Sequence, residues 1–190
     1  MLLTPVALAS KSPRRLELLR SLDLTVRLVE VTHSETIDPT WLPHDIPLNL
    51  ARIKNQYARL LRKQEEVLLT ADTIVLLDDK ILHKPLDEAD AMATLQRLSG
   101  RWHEVVTGVC MSAQHEVAMS VTTRVKMSEL SMEAIKYYIE RYRPYDKAGS
   151  YGIQEWIGWS HISRIEGSFS NVMGLPTSEV YEALKTRVVF

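Results

Sequence analysis

Strand-like apolar segments alternate with helix-like amphipathic segments along this chain, and that alternation limits the fold more than any other feature. Residues 5–10, PVALAS, predict a short buried strand, and a helix is predicted from about Pro13 to Leu22. Residues 25–31, TVRLVEV, predict a second strand. A long helix is predicted within residues 43–64, beginning near Pro47, because its apolar residues recur at helical spacing.

The second part of the chain continues the alternation and adds a long hairpin. The predicted elements are a strand, an Asp78–Asp79 turn and a returning strand within 66–85, a helix from Asp87 to Gly100, a strand pair at 102–112 and 115–127, a helix capped by Ser131 and ended by Pro144, a glycine-rich loop at 146–158, a strand at 161–167 and a closing helix at 177–188. Strands that alternate with helices, together with a hairpin, predict an α/β fold with a mixed sheet.

Length and composition narrow the class of protein. The 190 residues, 45% hydrophobic and 25% charged, predict one globular domain over 1–190, or two small lobes around one cleft. The formal net charge of −1 argues against binding to nucleic acid or membrane through bulk charge. Cys110 is the single cysteine, which fits a reducing cytoplasm, and no apolar segment is long enough to span a bilayer.

The segment SKSPRR places cations where a helix normally prefers acids. Ser12 is a good N-cap and Pro13 a good first helical residue, yet Lys11, Arg14 and Arg15 add charge to the positive end of the helix. A cation pair over free helix amides predicts a receptor for an anion, most readily a phosphate. The alternative, that both arginines point into solvent or pair with distant acids, stays open from the sequence.

Asp72 interrupts the apolar run LLTADTIVLL. Burial of an unpaired carboxylate costs several kcal/mol, so such an aspartate is normally paired, bound to a metal, or at a strand break facing a cleft. Its alternative role is to cap nearby backbone amides. We favour a functional role, because cations that bind phosphate also need a base and a metal nearby. The six histidines show no zinc-binding spacing.

Five ordered blocks cover nearly the whole chain and resemble the signature blocks of the Maf family of nucleoside triphosphate pyrophosphatases. The blocks are LASKSPRRLELL, ADTIV, HKPLDEADAMATLQRLSGRWHEVVTGV, DKAGSYGIQ and IEGSFSNVMGLP. The resemblance implies an inosine-triphosphate-pyrophosphatase-like fold, with a mixed sheet, flanking helices and two lobes around a central cleft, in a family that is often dimeric. It also implies hydrolysis of a nucleoside triphosphate to the monophosphate and pyrophosphate with Mg²⁺ or Mn²⁺. The family was first named for inhibition of septum formation, which suggests a link to cell division.

The resemblance assigns roles to individual residues. It implies that triphosphate is contacted by Ser10, Arg14, Arg15, Lys54 and Lys84. It implies Asp72 as proton acceptor and, with Glu35, as metal ligand; whether Asp72 acts first as base or as ligand stays open. Arg14, Thr73 and Gln154 resemble the specificity set of the branch that acts on dTTP and UTP, with modified pyrimidine nucleotides as further candidates.

Two positions depart from the family pattern. His83 and Glu155 stand where the family usually has glycine, at the expected rim of the pocket.

Two other functions compete with the enzyme. A regulator that senses a nucleotide without hydrolysing it would need the cations but no base, so Asp72 favours the enzyme. An RNA-binding module is disfavoured, because no basic stripe carries interleaved aromatic residues.

Overall fold

The computed structural model describes residues 5–32 and 36–186. The strands are β1 (Val6–Leu8), β2 (Val26–Leu28), β3 (Val67–Leu77), β4 (Lys80–Leu82), β5 (Trp102–Ser112), β6 (Glu116–Met127) and β7 (Ile162–Glu166). The α-helices are α1 (Pro13–Arg20), α2 (Ile46–Ala58), α3 (Glu88–Leu98), α4 (Met132–Tyr142), α5 (Trp156–His161), α6 (Phe169–Met173) and α7 (Thr177–Thr186). None of these helices, in the part of the chain described, is long and apolar enough to cross a membrane.

The strands form one mixed sheet, which confirms the predicted fold class. Their order is β2-β1-β3-β5-β6-β7, and β4 pairs with β3. β1 lies parallel to both β2 and β3, whereas β4 is antiparallel to β3 and β7 is antiparallel to β6. The β3–β4 turn has the predicted form, because Asp78 and Asp79 both have positive φ, as a two-residue hairpin turn of type I′ requires.

The chain divides into two compact units. Unit 1 comprises described residues within 1–72, 107–121 and 174–190, and unit 2 comprises residues 73–106 and 122–173. A small apolar cluster in unit 1 consists of Ala7 of β1, Ala9 just after β1, Val29 just after β2, Ala58 of α2 and Leu68 of β3. The core of unit 2 is larger and includes buried residues of β3, α3, β5, β6 and α4, together with Tyr151, Ile153 and Ile157 of the loop before and at the start of α5. The assignment of residues 1–190 to a single domain stays a prediction.

The helices differ from the prediction in several places. α1 ends at Arg20 and not at Leu22, and the short helix α6 (Phe169–Met173) is not among the predicted elements. α2 ends at Ala58, and a short 3₁₀ turn over Arg59–Leu61 replaces the predicted continuation to residue 64. The segment 146–158, predicted as loop throughout, contains a 3₁₀ turn at Ala148–Ser150 and the first residues of α5. Gly158 explains why the short helix was missed, since glycine lowers helix propensity; an added Cβ there would lie 1.8 Å from the carbonyl oxygen of Ile153.

Candidate active site

The start of α1 is organised by a serine that precedes the helix. Ser12 has the extended backbone of an N-cap and Pro13 takes the first helical position, as predicted, and the first turn carries no acidic residue. The Ser12 side chain makes no capping hydrogen bond; its backbone N–H instead donates to Ser10 Oγ at 3.2 Å. Ser10 therefore fixes the turn between β1 and α1.

Arg15 is held in a defined position within unit 1. Its Nη1 donates to Ser10 Oγ at 3.1 Å, and its Nε donates to the carbonyl oxygen of Gly174 at 2.8 Å. Arg15 and its neighbour Arg14 are both half-buried. The alternative in which Arg15 extends into solvent is therefore wrong, and the cationic end of α1 is a built feature of unit 1.

Asp72 is paired with a lysine, as expected for a carboxylate within an otherwise apolar run. It lies inside the unbroken strand β3, and its Oδ1 accepts a hydrogen bond from Lys54 Nζ of α2 at 2.5 Å. The two side chains are only 14% and 15% exposed, so this charge-assisted contact is partly shielded from water. Asp72 thus provides a held carboxylate beside a cation, with part of its surface still accessible.

Polar side chains that the sequence analysis did not identify seat α2 against the sheet and so place Lys54. Asn55 is fully buried; its Nδ2 donates to the carbonyl oxygen of Cys110 at 3.1 Å, and its Oδ1 accepts from Ser112 Oγ at 2.7 Å. The Thr70 hydroxyl on β3 donates to the carbonyl oxygen of Ala51 at 2.7 Å. Asn55 is the residue after Lys54 in α2, and Thr70 lies two residues before Asp72 in β3. These bonds therefore fix the backbone beside both Lys54 and Asp72.

Gly108 permits the close approach of α2 to β5. A Cβ at this position would lie 2.2 Å from the backbone nitrogen of Leu48, a distance that no side chain tolerates. A glycine inside a long strand often marks such a close backbone approach, so this signal was present in the sequence. The residue therefore contributes to the Lys54–Asp72 contact without touching either side chain.

Unit 2 carries three further predicted site residues. Thr73 on β3 is half-buried, and Lys84, between β4 and α3, is exposed. Gln154 lies just before α5, and its backbone oxygen accepts a hydrogen bond from Trp159 Nε1 at 3.0 Å. The side-chain Oε1 of Gln154 is buried and has no hydrogen-bond partner among the described residues. Such an unpaired acceptor is costly, which makes it a candidate for binding a ligand donor.

A buried histidine anchors the residue three positions before Gln154. His103 Nε2 lies 2.7 Å from the hydroxyl of Tyr151, and the two rings meet edge to face with centroids 5.5 Å apart. Burial lowers the pKa of His103 to about 4, so the ring is neutral at pH 7. Burial also raises the pKa of Tyr151, which keeps its hydroxyl protonated. The contact is therefore a neutral hydrogen bond that fixes the backbone near Gln154.

The described residues offer few ligands for the divalent metal that the family resemblance implies. Within residues 5–32 and 36–186, no cluster of three or more His, Cys, Asp or Glu side chains could hold a metal by itself. Mg²⁺ in nucleotide sites is, however, commonly bound by one or two carboxylates, with water and substrate phosphates completing the shell. The partly exposed Asp72 carboxylate fits that role. Glu35, the second predicted ligand, lies outside the described residues.

The chain is a mixed α/β protein, and its unit 1 holds a cationic helix start and a lysine–aspartate pair. The model of the family described as Maf-like protein matches residues 5–187. The dTTP/UTP pyrophosphatase of Porphyromonas gingivalis strain ATCC 33277 is 50% identical over 184 residues, which cover 95% of this chain and 92% of that protein. The dTTP/UTP pyrophosphatase of Flavobacterium psychrophilum is 46% identical over 181 residues, with coverage of 94% and 92%.

The chain belongs to the Maf family, which confirms the predicted resemblance. Among solved structures, a nucleoside-triphosphatase / dITP/XTP pyrophosphatase from Mycobacterium abscessus matches with a TM-score of 0.40 and 19% identity, covering 66% of this chain and 75% of that chain.

Proposed function

We propose that this chain hydrolyses dTTP and UTP between the α and β phosphates, releasing the nucleoside monophosphate and pyrophosphate. The observation that carries the proposal is the Lys54–Asp72 contact at 2.5 Å, a carboxylate held by a cation on the long strand β3. The proposal is supported by membership of the Maf family and by relatives that carry the name dTTP/UTP pyrophosphatase.

The chemistry assigns separate tasks to the carboxylate and the cations. Asp72 accepts a proton from the attacking water. The water oxygen bonds to phosphorus as the bond between the α and β phosphates breaks. The departing pyrophosphate gains negative charge, which nearby cations stabilise. In unit 1 these cations are Arg14, Arg15 and Lys54, and the Ser10 hydroxyl orients Arg15. Lys84 of unit 2 enters the proposal through the family pattern.

A divalent cation is part of the proposal. Asp72 would hold Mg²⁺ or Mn²⁺, with Glu35 as a second carboxylate from the family pattern. When bound, the ion would supply Lewis-acid stabilisation of the phosphate oxygens. Removal of divalent ions with a chelator should abolish turnover, and added Mg²⁺ or Mn²⁺ should restore it.

Base selection is assigned to Gln154, with Thr73 and Arg14 as its partners in the family pattern. A carboxamide both donates and accepts hydrogen bonds, and so matches the alternating acceptors and donor of a uracil or thymine edge. Cytosine carries an amine in place of a carbonyl and has no N3 proton, so it would leave a buried group unpaired. The buried, unpartnered Oε1 of Gln154 supports this assignment, because a base N–H would satisfy it.

The cellular setting is a further part of the proposal. Cys110 is buried and free, and burial raises its pKa to about 12, so it is an inert thiol that suits the reducing cytoplasm. Modified pyrimidine triphosphates are proposed as additional substrates, a homodimer as the assembly, and cell-division arrest as the process to which the activity is linked. These rest on the family resemblance.

The test is a substrate panel in which pyrophosphate and orthophosphate are measured separately. The purified chain is incubated with dTTP, UTP, CTP, GTP, 7-methyl-GTP and 5-substituted pyrimidine triphosphates, with Mg²⁺ or Mn²⁺. Fast release of pyrophosphate from dTTP and UTP is expected. Faster turnover of 7-methyl-GTP than of dTTP would contradict the assigned branch, and tight binding without turnover would favour a nucleotide sensor.

A further inference from the structure

Two hydrogen bonds and an ion pair connect three points of the loop that carries Gln154, which we call the Gln154 loop (residues 147–155). The backbone N–H of Gly152 donates to the Tyr138 hydroxyl oxygen at 2.9 Å, and the Tyr138 hydroxyl donates to Glu155 Oε2. Lys147 Nζ lies 3.2 Å from the other carboxylate oxygen, Glu155 Oε1. The Glu155 carboxylate therefore joins the beginning, the middle and the end of the loop.

The groups that make these contacts are well shielded from water. Tyr138 is fully buried, and the side chains of Lys147 and Glu155 are 10% and 18% exposed. Burial and the bond to Glu155 raise the pKa of Tyr138, so its hydroxyl remains a donor. Lys147 Nζ is also bound to Asp146 at 2.7 Å, at the entrance of the loop. In such surroundings the loss of one charged partner leaves the others unsatisfied, so the contacts act as a unit.

Gln154 depends on this frame for its position. Its side-chain Oε1 has no hydrogen-bond partner among the described residues, so no protein bond to that oxygen orients the amide. The next residue, Glu155, donates its backbone N–H to the carbonyl oxygen of Gly152 at 3.0 Å. Gly152 and the Glu155 side chain are packed tightly, since a Cβ on Gly152 would lie 2.8 Å from the Glu155 carboxyl carbon. The placement of the Gln154 amide is thus set by the backbone that Glu155 holds.

We infer that Glu155 is a positioning residue for base selection: its carboxylate, bound by Tyr138 and Lys147, holds the Gln154 loop so that the Gln154 amide faces the pyrimidine edge. This inference rests on the proposed function of Gln154. The Maf pattern usually has glycine at this position, and glycine has no side chain that could make these contacts.

The test compares Glu155→Gln with a matched control on the same helix as Tyr138. The amide keeps the volume and can accept from Tyr138, but it removes the negative charge that holds Lys147. Glu140→Gln is the control, because Glu140 is exposed on α4. The ratio of kcat/KM for dTTP to that for CTP should fall about three- to tenfold in Glu155→Gln, as expected when one hydrogen bond to the base is weakened. The control should keep the wild-type ratio.

A double-mutant cycle separates positioning from general loosening of the fold. If Glu155 acts through Gln154, then Glu155→Gln should not lower the ratio further in a Gln154→Ala background. A purely structural role would lower the melting temperature and activity with all nucleotides, and would leave the ratio unchanged. Tyr138→Phe, which keeps the ring but removes both hydrogen bonds, gives a second measurement and decides the matter if Glu155→Gln does not fold.

The outcomes for the inference and for the proposed function are distinguishable. If Gln154→Ala lowers the ratio and neither Glu155→Gln nor Tyr138→Phe does, the positioning role is wrong and the proposed function stands. Full additivity of Glu155→Gln and Gln154→Ala also overturns the positioning role. If the wild-type chain does not prefer dTTP to CTP, the specificity part of the proposed function is wrong and the inference falls with it.

Discussion

Single side chains in unit 1 show how a charge pattern in the sequence becomes a site. Arg15 lies at the positive end of α1, where a cation is unfavourable unless an anion binds there. Its side chain is held by hydrogen bonds to Ser10 and to the carbonyl oxygen of Gly174. Lys54 holds Asp72 in the same way, with one short charge-assisted bond. Both arrangements fix a charged group in a defined direction before any ligand arrives, and this pre-organisation is what a phosphate site requires.

Arg15→Ala should weaken triphosphate binding far more than nucleoside binding, because the proposed partner of the guanidinium is phosphate. A charge-assisted hydrogen bond contributes about 1.5–3 kcal/mol, so the affinity for a non-hydrolysable dTTP analogue should fall at least tenfold. Thymidine binding should be nearly unchanged. Calorimetry with both ligands measures this, and Arg20→Ala, exposed in the last turn of α1, is the control. Equal losses for both ligands would show that Arg15 serves the fold, through its contact with Gly174, and not the substrate.

Gln154→Ala should reduce discrimination between dTTP and CTP. Removal of the amide leaves thymine without its partner and relieves the mismatch with cytosine, so the ratio of the two kcat/KM values should fall by about tenfold, equivalent to roughly 1.4 kcal/mol. Steady-state kinetics with both substrates provide the measurement. An unchanged ratio would mean that the side chain only supports its loop and that pocket size sets the specificity.

At the level of elements, buried polar contacts join helices to strands in unit 1. Asn55 and Thr70 bind backbone carbonyls and so fix α2 against β3 and β5, where Gly108 allows the approach. Arg27 of β2 forms a two-point contact with Glu66, just before β3, with Nε and Nη2 at 2.6 and 2.5 Å from the two carboxylate oxygens. Because β2 and β3 both pair with β1, this ion pair ties the two outer neighbours of the first strand together.

The Arg27–Glu66 pair predicts a specific pH dependence of stability. The hydrogen bond from Arg27 lowers the pKa of Glu66 from 4.5 to about 2. Because this pKa is lower in the folded state than in the unfolded state, the ionised carboxylate stabilises the fold at pH values above about 4.5. This stabilisation is lost as the pH falls from about 4.5 through about 2. Glu66→Gln should therefore lower the free energy of unfolding at pH 7 by about 1.5–3 kcal/mol.

Denaturant unfolding of wild type and Glu66→Gln from pH 7 down to pH 2 measures this dependence. The difference in free energy of unfolding between the two proteins should shrink as the pH approaches 2. Protonation of Glu66 in the wild type then removes the same charge that the substitution removes. Glu65→Gln, at the exposed neighbouring position, should follow the wild type. A difference that stays constant over the whole range would show that Glu66 acts through packing and not through its charge.

At the scale of the whole molecule, the sequence was informative where local signals agreed. The mixed sheet, the Pro13 helix start, the Asp78–Asp79 turn and the Ser131 cap follow from periodicity and from turn and cap chemistry, which act over a few residues. α5 was missed because its sequence, WIGWSH, is short and contains glycine, and its position is set by contacts with other elements. Local propensity carries no information about such contacts.

The residues of the site also differ in how well the sequence predicts them. Arg14, Arg15 and Asp72 stand out in the sequence because each is a charge where the local pattern expects none. Which cation pairs with Asp72 could not be read from spacing, since Lys54 meets it across 18 positions of chain. The Tyr138–Glu155–Lys147 contacts are likewise not visible in the sequence, although Glu155 departs from the family pattern. Partners that are distant in sequence become visible only when the fold brings them together.

The central claim is that the Asp72 carboxylate drives hydrolysis of the triphosphate, and Asp72→Asn tests it most directly. The substitution keeps the shape but removes the base and the charge, so the expected loss is in kcat for dTTP, by at least about 100-fold, with binding of a non-hydrolysable dTTP analogue largely retained. Asp79→Asn, in the exposed β3–β4 turn where asparagine tolerates the positive φ, is the matched control and should keep full activity. The measurement is release of pyrophosphate from dTTP by a folded Asp72→Asn protein. Turnover within about tenfold of wild type would contradict the account and remove Asp72 from the mechanism.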